Sequence, residues 1–196
     1  MDVIALLIFV VGATITPGPN NMLIMGSGFQ YGMRKTLPLL LGMCTGFPLL
    51  LIAVGVGLSE LFVFLPMLYA VVKIAGATYL LYLSWCLFNL RTIEVTGPTE
   101  RPLGFLQGAL FQWVNPKCWV MAISANASFS VFFDNPLIAS LVISCAFLFV
   151  SIPCVGVWGV AGNIISQHLK DPKKILLFNR LMATLLLVSI VQTLII

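Results

Sequence analysis

Pro17 and Pro19, separated by Gly18 and followed by Asn20 and Asn21, form a group that a hydrophobic segment would ordinarily exclude. Proline has no N–H, so the carbonyls of Ala13 and Ile15 lose their helical partners. Thr16 and Gly18 each precede a proline and are pushed away from helical angles. One proline would kink a helix; two with a glycine between them are expected to break it. Pro19 then fits the first position of a new half-helix, with Gly18 as its cap. The N–H groups of Asn20 and Asn21 should point back at the break. A helix start carries about half a positive charge and suits an anion such as a carboxylate. The freed carbonyls and the asparagine side chains can accept hydrogen bonds from an ammonium group. The segment thus offers complementary groups for both ends of an amino acid.

A second group, Asn115-Pro116-Lys117, lies in another apolar stretch. Counted from Leu103, Lys117 is about 20 Å along a helix at ~1.5 Å per residue. A lysine at that depth costs a few kcal/mol unless it meets water or an acceptor. Lys73 is roughly 10 Å deep by the same rise, where its long side chain can also snorkel to the surface. No Asp or Glu lies deep in any apolar stretch. A site with lysines and no buried acid should favour a neutral zwitterion or an anion over a cationic amino acid. In "KIAGATYLLYLSW", 73–85, Gly76 and its small neighbours read as a helix-packing face, with Tyr79 a candidate lining residue. Ser144 and Ser151 share a helical face and either line a cavity or bond backbone carbonyls.

These residues sit in a chain of 196 residues that is 60% hydrophobic and only 8% charged, with a mean hydropathy of +1.09. Soluble domains carry about 25% charged residues, and so few charges could not cover a globular surface. An integral membrane protein follows. Six apolar runs, roughly 3–27, 38–58, 67–90, 103–130, 136–162 and 177–196, are each near the ~20 residues that span the bilayer as a helix. No alternating ~10-residue strands of a β-barrel occur. The first run lacks a basic leader and a small-residue cleavage site, so it is expected to be the first membrane helix rather than a removable signal.

Arg34 and Lys35 follow run one, Arg91 and Arg101 follow run three, and Lys170, Lys173, Lys174 and Arg180 follow run five. The other loops and the N-terminus hold Asp2, Glu60 and Asp134 and no base. Basic loops stay cytoplasmic, which predicts both termini outside. The net charge of +4 is then a topology signal and calls for no nucleic acid. The expected organisation is one transmembrane domain over 1–196: repeat one 1–90, a cytoplasmic linker 91–102, and repeat two 103–196. Three helices per half make the halves inverted repeats, with a site near the midplane built from interrupted helices. The matched breakers, and Pro48 and Pro153 in the second helix of each half, agree with that symmetry.

"TPGPNNML", "KIAGATYLLYLSW" and "GALFQWVNPKCWVMAIS" resemble the LysE/RhtB family of amino-acid exporters, and the resemblance extends over the whole chain. Within the family the text is closest in appearance to exporters of cysteine and O-acetylserine. The resemblance implies a transporter, not an enzyme, with no cofactor or metal. It would sit in the bacterial cytoplasmic (inner) membrane and export amino acids or related metabolites at the expense of the proton gradient. It carries Pro17, Gly18, Pro19 and Asn20 onto the first family motif, Asn115, Pro116 and Lys117 onto the second, and Lys73, Gly76, Tyr79 and Leu80 onto the third-helix pattern. Many members have an acidic residue in helix five; "SLVISCAFLFVSIPCVGVWG" has none. A lysine amine that exchanges protons inside the bilayer is the available substitute, Lys117 foremost. Self-association into a homo-oligomer stays open.

Two other classes compete. Cys118 and Cys154 stand beside prolines, as a membrane thiol–disulfide relay would require, but the five cysteines (Cys44, Cys86, Cys118, Cys145, Cys154) form no metal-spaced pair. An ion or metal permease of similar architecture lacks buried acids, and the single histidine, His168, lies in a loop.

Overall fold

The computed structural model describes residues 3–58, 102–169 and 171–195, together with nine positions between Met67 and Phe88. Lys73, Gly76, Tyr79, Leu80, Cys86, Glu60, Arg91, Arg101 and Lys170 lie outside the described residues, as does the linker 91–102 apart from Pro102. Among the described residues the structure is helices and the short segments that join them, without strands.

The first apolar run is two helices. α1 (Val3–Ile15) ends before Thr16, and α2 (Pro19–Tyr31) begins on Pro19 with Gly18 at its N-cap. The axis bends by 55° at the break. α3 (Met33–Ala53) runs back and continues as a π-helical turn, Val54–Leu58. The fourth run is divided in the same way. α4 (Phe105–Val114) stops at Asn115, whose backbone is extended, and α5 (Pro116–Phe129) starts on the next proline. A short 3-10 turn, Ser130–Phe132, leads to the long α6 (Pro136–His168), and α7 (Pro172–Ile195) closes the chain. The hydropathy of α3 with its π-turn (Met33–Gly57) and of α6 suits membrane crossing, and the α1–α2 pair qualifies if counted as one broken span.

Helices overrun the apolar runs at their polar ends. Arg34 and Lys35, expected in a loop, stand in the first turn of α3. Gly32 alone makes the turn from α2, at a φ of 78° that favours glycine. A hydropathy count stops at the first charge, whereas backbone hydrogen bonding does not.

Close contacts depend on glycine. A Cβ on Gly28 would lie 2.2 Å from the carbonyl oxygen of Gly159, and one on Gly162 would lie 2.1 Å from that of Met25. These positions let α2 cross α6 backbone to backbone, as small residues do where helices pack in membranes. The α3–α4 crossing uses Gly42 and Gly46 in the same manner, against Phe105 and Ala109. Two apolar clusters result. One gathers Met22, Ile24, Leu39, Leu40, Met43 and Phe111; the other Leu6, Val10, Phe47, Leu50, Trp119 and Phe147. The polar residues of both helix breaks lie between them.

The outer surface is apolar: Ile4, Leu106, Val131 and Phe149 are among many exposed large hydrophobics. Contiguous apolar surface on this scale marks contact with a nonaqueous neighbour. The side chain of Asn163, late in α6, lies beside Gly32, so the turn after α2 and the turn after α6 share one end. Phe9 stacks edge-on against Phe129 at 5.6 Å, so the middle of α1 packs on the end of α5, and Asp134, just before the start of α6, lies at the opposite end of that helix from Asn163.

Candidate functional site

Breaking α1 leaves its last carbonyls without helical donors, and in an apolar segment with Ile15, Thr16 and Pro17 exposed at its surface each must find another within the protein. The donors come from four places. Thr16 donates its own hydroxyl to the Ala13 carbonyl at 3.2 Å. Trp158 of α6 donates its indole N–H to Ile15 at 3.2 Å. The Asn21 amide bridges the carbonyls of Thr14 and Thr16 at 2.9 and 2.8 Å. Lys117 completes the set from the other half of the chain. Its Nζ donates to the Thr16 hydroxyl at 2.9 Å, the Thr16 carbonyl at 3.1 Å and the Pro17 carbonyl at 3.4 Å. The ammonium also sits at the negative end of the α1 dipole.

This placement explains Gly18. Its backbone is fully extended (φ 179°, ψ 179°), a conformation open to any residue. The need is for space: a Cβ there would lie 3.0 Å from both Cδ and Nζ of Lys117. The first N–H groups of α2 have no intrahelical acceptor and no side-chain cap. The start of α5 differs, since the Asn115 side chain accepts from the Lys117 N–H at 3.1 Å.

The breaks are joined again through amides. Asn115 Nδ2 donates to Asn20 Oδ1 at 2.9 Å, and Asn20 Nδ2 donates to Gln112 Oε1 at 2.8 Å. Gln112 Nε2 is shared between Asn20 Oδ1, 3.3 Å, and the Gly108 carbonyl, 3.0 Å. The Cys118 thiol donates to Gln112 Oε1 at 3.1 Å. Gln112 and Asn115 are buried, so the network is tied at both ends within the protein.

Beside these groups lies a cavity of about 30 Å³ lined in part by Gly18, Asn20, Asn21, Cys44, Lys117 and Ser151. By the measure of ~10–15 Å³ per water, it has room for two or three waters; an amino acid needs it to open. Asn21 is 2% exposed, and its Oδ1 is a buried acceptor with no partner.

Of the residues singled out in the sequence, Pro17, Gly18, Pro19, Asn20, Asn21, Asn115, Pro116 and Lys117 are brought to one place; Tyr79 and Lys73 lie outside the described residues. Ser144 bonds the Pro48 carbonyl at 3.2 Å, while Ser151 both bonds the Phe147 carbonyl and lines the cavity. The sequence reading missed Gln112 and Trp158. Gln112 had a signal, an amide one helical turn ahead of Asn115 in an apolar run. Trp158 had none, because a tryptophan in such a run looks like a lipid contact. The four described cysteines are unpaired thiols.

A family model described as a LysE type translocator matches residues 11–195. The chain is also similar to curated proteins named cysteine/O-acetylserine efflux protein. Those of Escherichia coli strain K12 and of Shigella sonnei strain Ss046 are each 30% identical to it over 156 residues, covering 78% of this chain and 78% of the relative. No solved structure matches the chain.

Proposed function

Because this chain belongs to the LysE family of translocators, we propose that it exports small neutral amino acids or their derivatives across a bacterial cytoplasmic membrane in exchange for protons. The observation that carries this reading is the junction of the two helix breaks: Lys117, from the second, donates to the carbonyls exposed by the first. Exposed carbonyls suit the cargo's ammonium, and the uncapped start of α2 suits its carboxylate. Half-buried Asn20 and buried Gln112 and Asn115 fix both breaks in register. The relatives' efflux of cysteine and O-acetylserine agrees with a small zwitterion.

Six crossings in two inverted triplets, with both termini outside, complete the reading. It is supported by equivalent breaks at the first helix of each half and by the gathering of Arg34, Lys35, Lys173 and Lys174 near one pair of turns. Lys117 is the proton carrier in this scheme, since no carboxylate lines the cavity among the described residues. The test is purified protein in liposomes preloaded with radiolabelled O-acetylserine or cysteine. Efflux should outpace that from protein-free liposomes and quicken when the receiving side is made acidic. No acceleration for any neutral amino acid or O-acyl derivative would overturn the proposal.

A further inference from the structure

Lys117 holds the very oxygens that an amino-acid cargo would use. A primary ammonium has three N–H donors, and the Lys117 ammonium spends them on the Thr16 hydroxyl, the Thr16 carbonyl and the Pro17 carbonyl. These are charge-assisted bonds of the stronger kind. The 3.0 Å approach of Lys117 Cδ and Nζ to the place a Cβ would take at Gly18 shows that the lysine lies across the break. Next to it, Asn21 Oδ1 is buried on the same cavity without a donor. It is an acceptor the lysine does not use and an incoming ammonium can.

From this geometry we infer that Lys117 is an internal competitor for the seat of the cargo's ammonium, so that proton and cargo exchange by exclusion at one set of oxygens. The inference rests on the export reading above and assigns how its site is regulated. With the site facing the cytoplasm, one Nζ–H bond of Lys117 breaks and the proton passes to cytoplasmic water. The neutral amine leaves, and the cargo's ammonium takes Thr16 O, Pro17 O and Asn21 Oδ1. With the site facing outward, a proton from external water restores the Lys117 ammonium, which reclaims those oxygens and expels the cargo. One proton enters for each cargo that leaves. Both cations bound at once would be like charges a few ångströms apart on shared acceptors, a costly state. Among the described residues the titratable groups facing Lys117 are the thiols of Cys44 on α3 and Cys118 on its own helix. α1, α2 and α6 bring none to the cavity.

The experiment measures equilibrium binding of radiolabelled O-acetylserine, and of its isomer N-acetylserine, to purified protein from mildly acidic to neutral pH. In the unmodified protein, affinity for O-acetylserine should rise about tenfold per pH unit wherever Lys117 is mostly protonated, one proton being excluded per cargo. Lys117→Gln removes the competitor: binding should be pH-independent and at least as tight, while proton-driven transport is lost. Lys117→Arg keeps a permanent cation: binding should be pH-independent and weaker than in Lys117→Gln. If the glutamine variant does not elute as folded protein, the arginine variant carries the comparison. N-acetylserine, having no ammonium, should bind none of the three proteins.

Coincident pH profiles for the unmodified protein and Lys117→Gln would overturn the inference, as would tight binding of N-acetylserine. So would loss of binding in Lys117→Gln with retention in Lys117→Arg. In each case transport by the unmodified protein would still stand. If the unmodified protein neither binds nor moves O-acetylserine, the export reading falls and takes this inference with it.

Discussion

Asn20 joins the first helix break to the second with a single amide. Its Oδ1 accepts from Asn115 and Gln112 while its Nδ2 donates to Gln112. Removing it strands a donor on Asn115 in a buried layer and leaves Gln112 Oε1 with the Cys118 thiol alone. A buried polar group left unsatisfied costs about 1–3 kcal/mol. Asn20→Ala is therefore expected to lower the melting temperature in detergent and to abolish efflux from liposomes while the protein still inserts. Ser144→Ala is the contrast. Ser144 bonds the Pro48 carbonyl away from the cavity, so its loss should cost about 1 kcal/mol, the net value of one hydrogen bond, with efflux preserved. Equal transport by Asn20→Ala and Ser144→Ala would remove Asn20 from the site.

Among the elements, the two broken helices work because intact ones hold them. α2 has little room to drift, since Gly28 meets Gly159 and Gly162 meets Met25 at backbone distance. Adding a methyl at Gly28 would force the helices apart or strain them, and overpacking of that kind costs about 1–3 kcal/mol. Gly28→Ala should melt markedly earlier than the unmodified protein by tryptophan fluorescence in detergent. At Gly12 on α1 a Cβ meets nothing within 4 Å, so Gly12→Ala should melt at the unmodified temperature or above it. If the two variants behave alike, the close crossing of α2 and α6 is not what fixes the bundle.

For the molecule as a whole, the described basic residues other than Lys117 gather toward one end, where Gly32 meets Asn163, and Asp134 lies toward the other. By the bias of basic residues toward the cytoplasm, Asp134→Cys in a cysteine-free protein should be labelled by a membrane-impermeant maleimide in intact cells. Arg34→Cys should be labelled only after the membrane is opened; the reverse pattern would invert the orientation. Much of this molecule is legible in its sequence because the cause is local. A proline lacks its N–H wherever the chain puts it, so the breaks at 16–18 and at Asn115 could be read from covalent structure alone. The scarcity of charge fixed the solvent in the same direct way. What the sequence could not give was the partner of each freed group. The Ile15 carbonyl is met by Trp158, the Thr16 and Pro17 carbonyls by Lys117, and Asn20 by Gln112. Those residues are distant along the chain, and even where one stood out, as Lys117 did, nothing near it in sequence named its partner. Only packing of the helices made them neighbours, because in apolar surroundings a freed peptide group takes whatever donor the tertiary fold delivers to it.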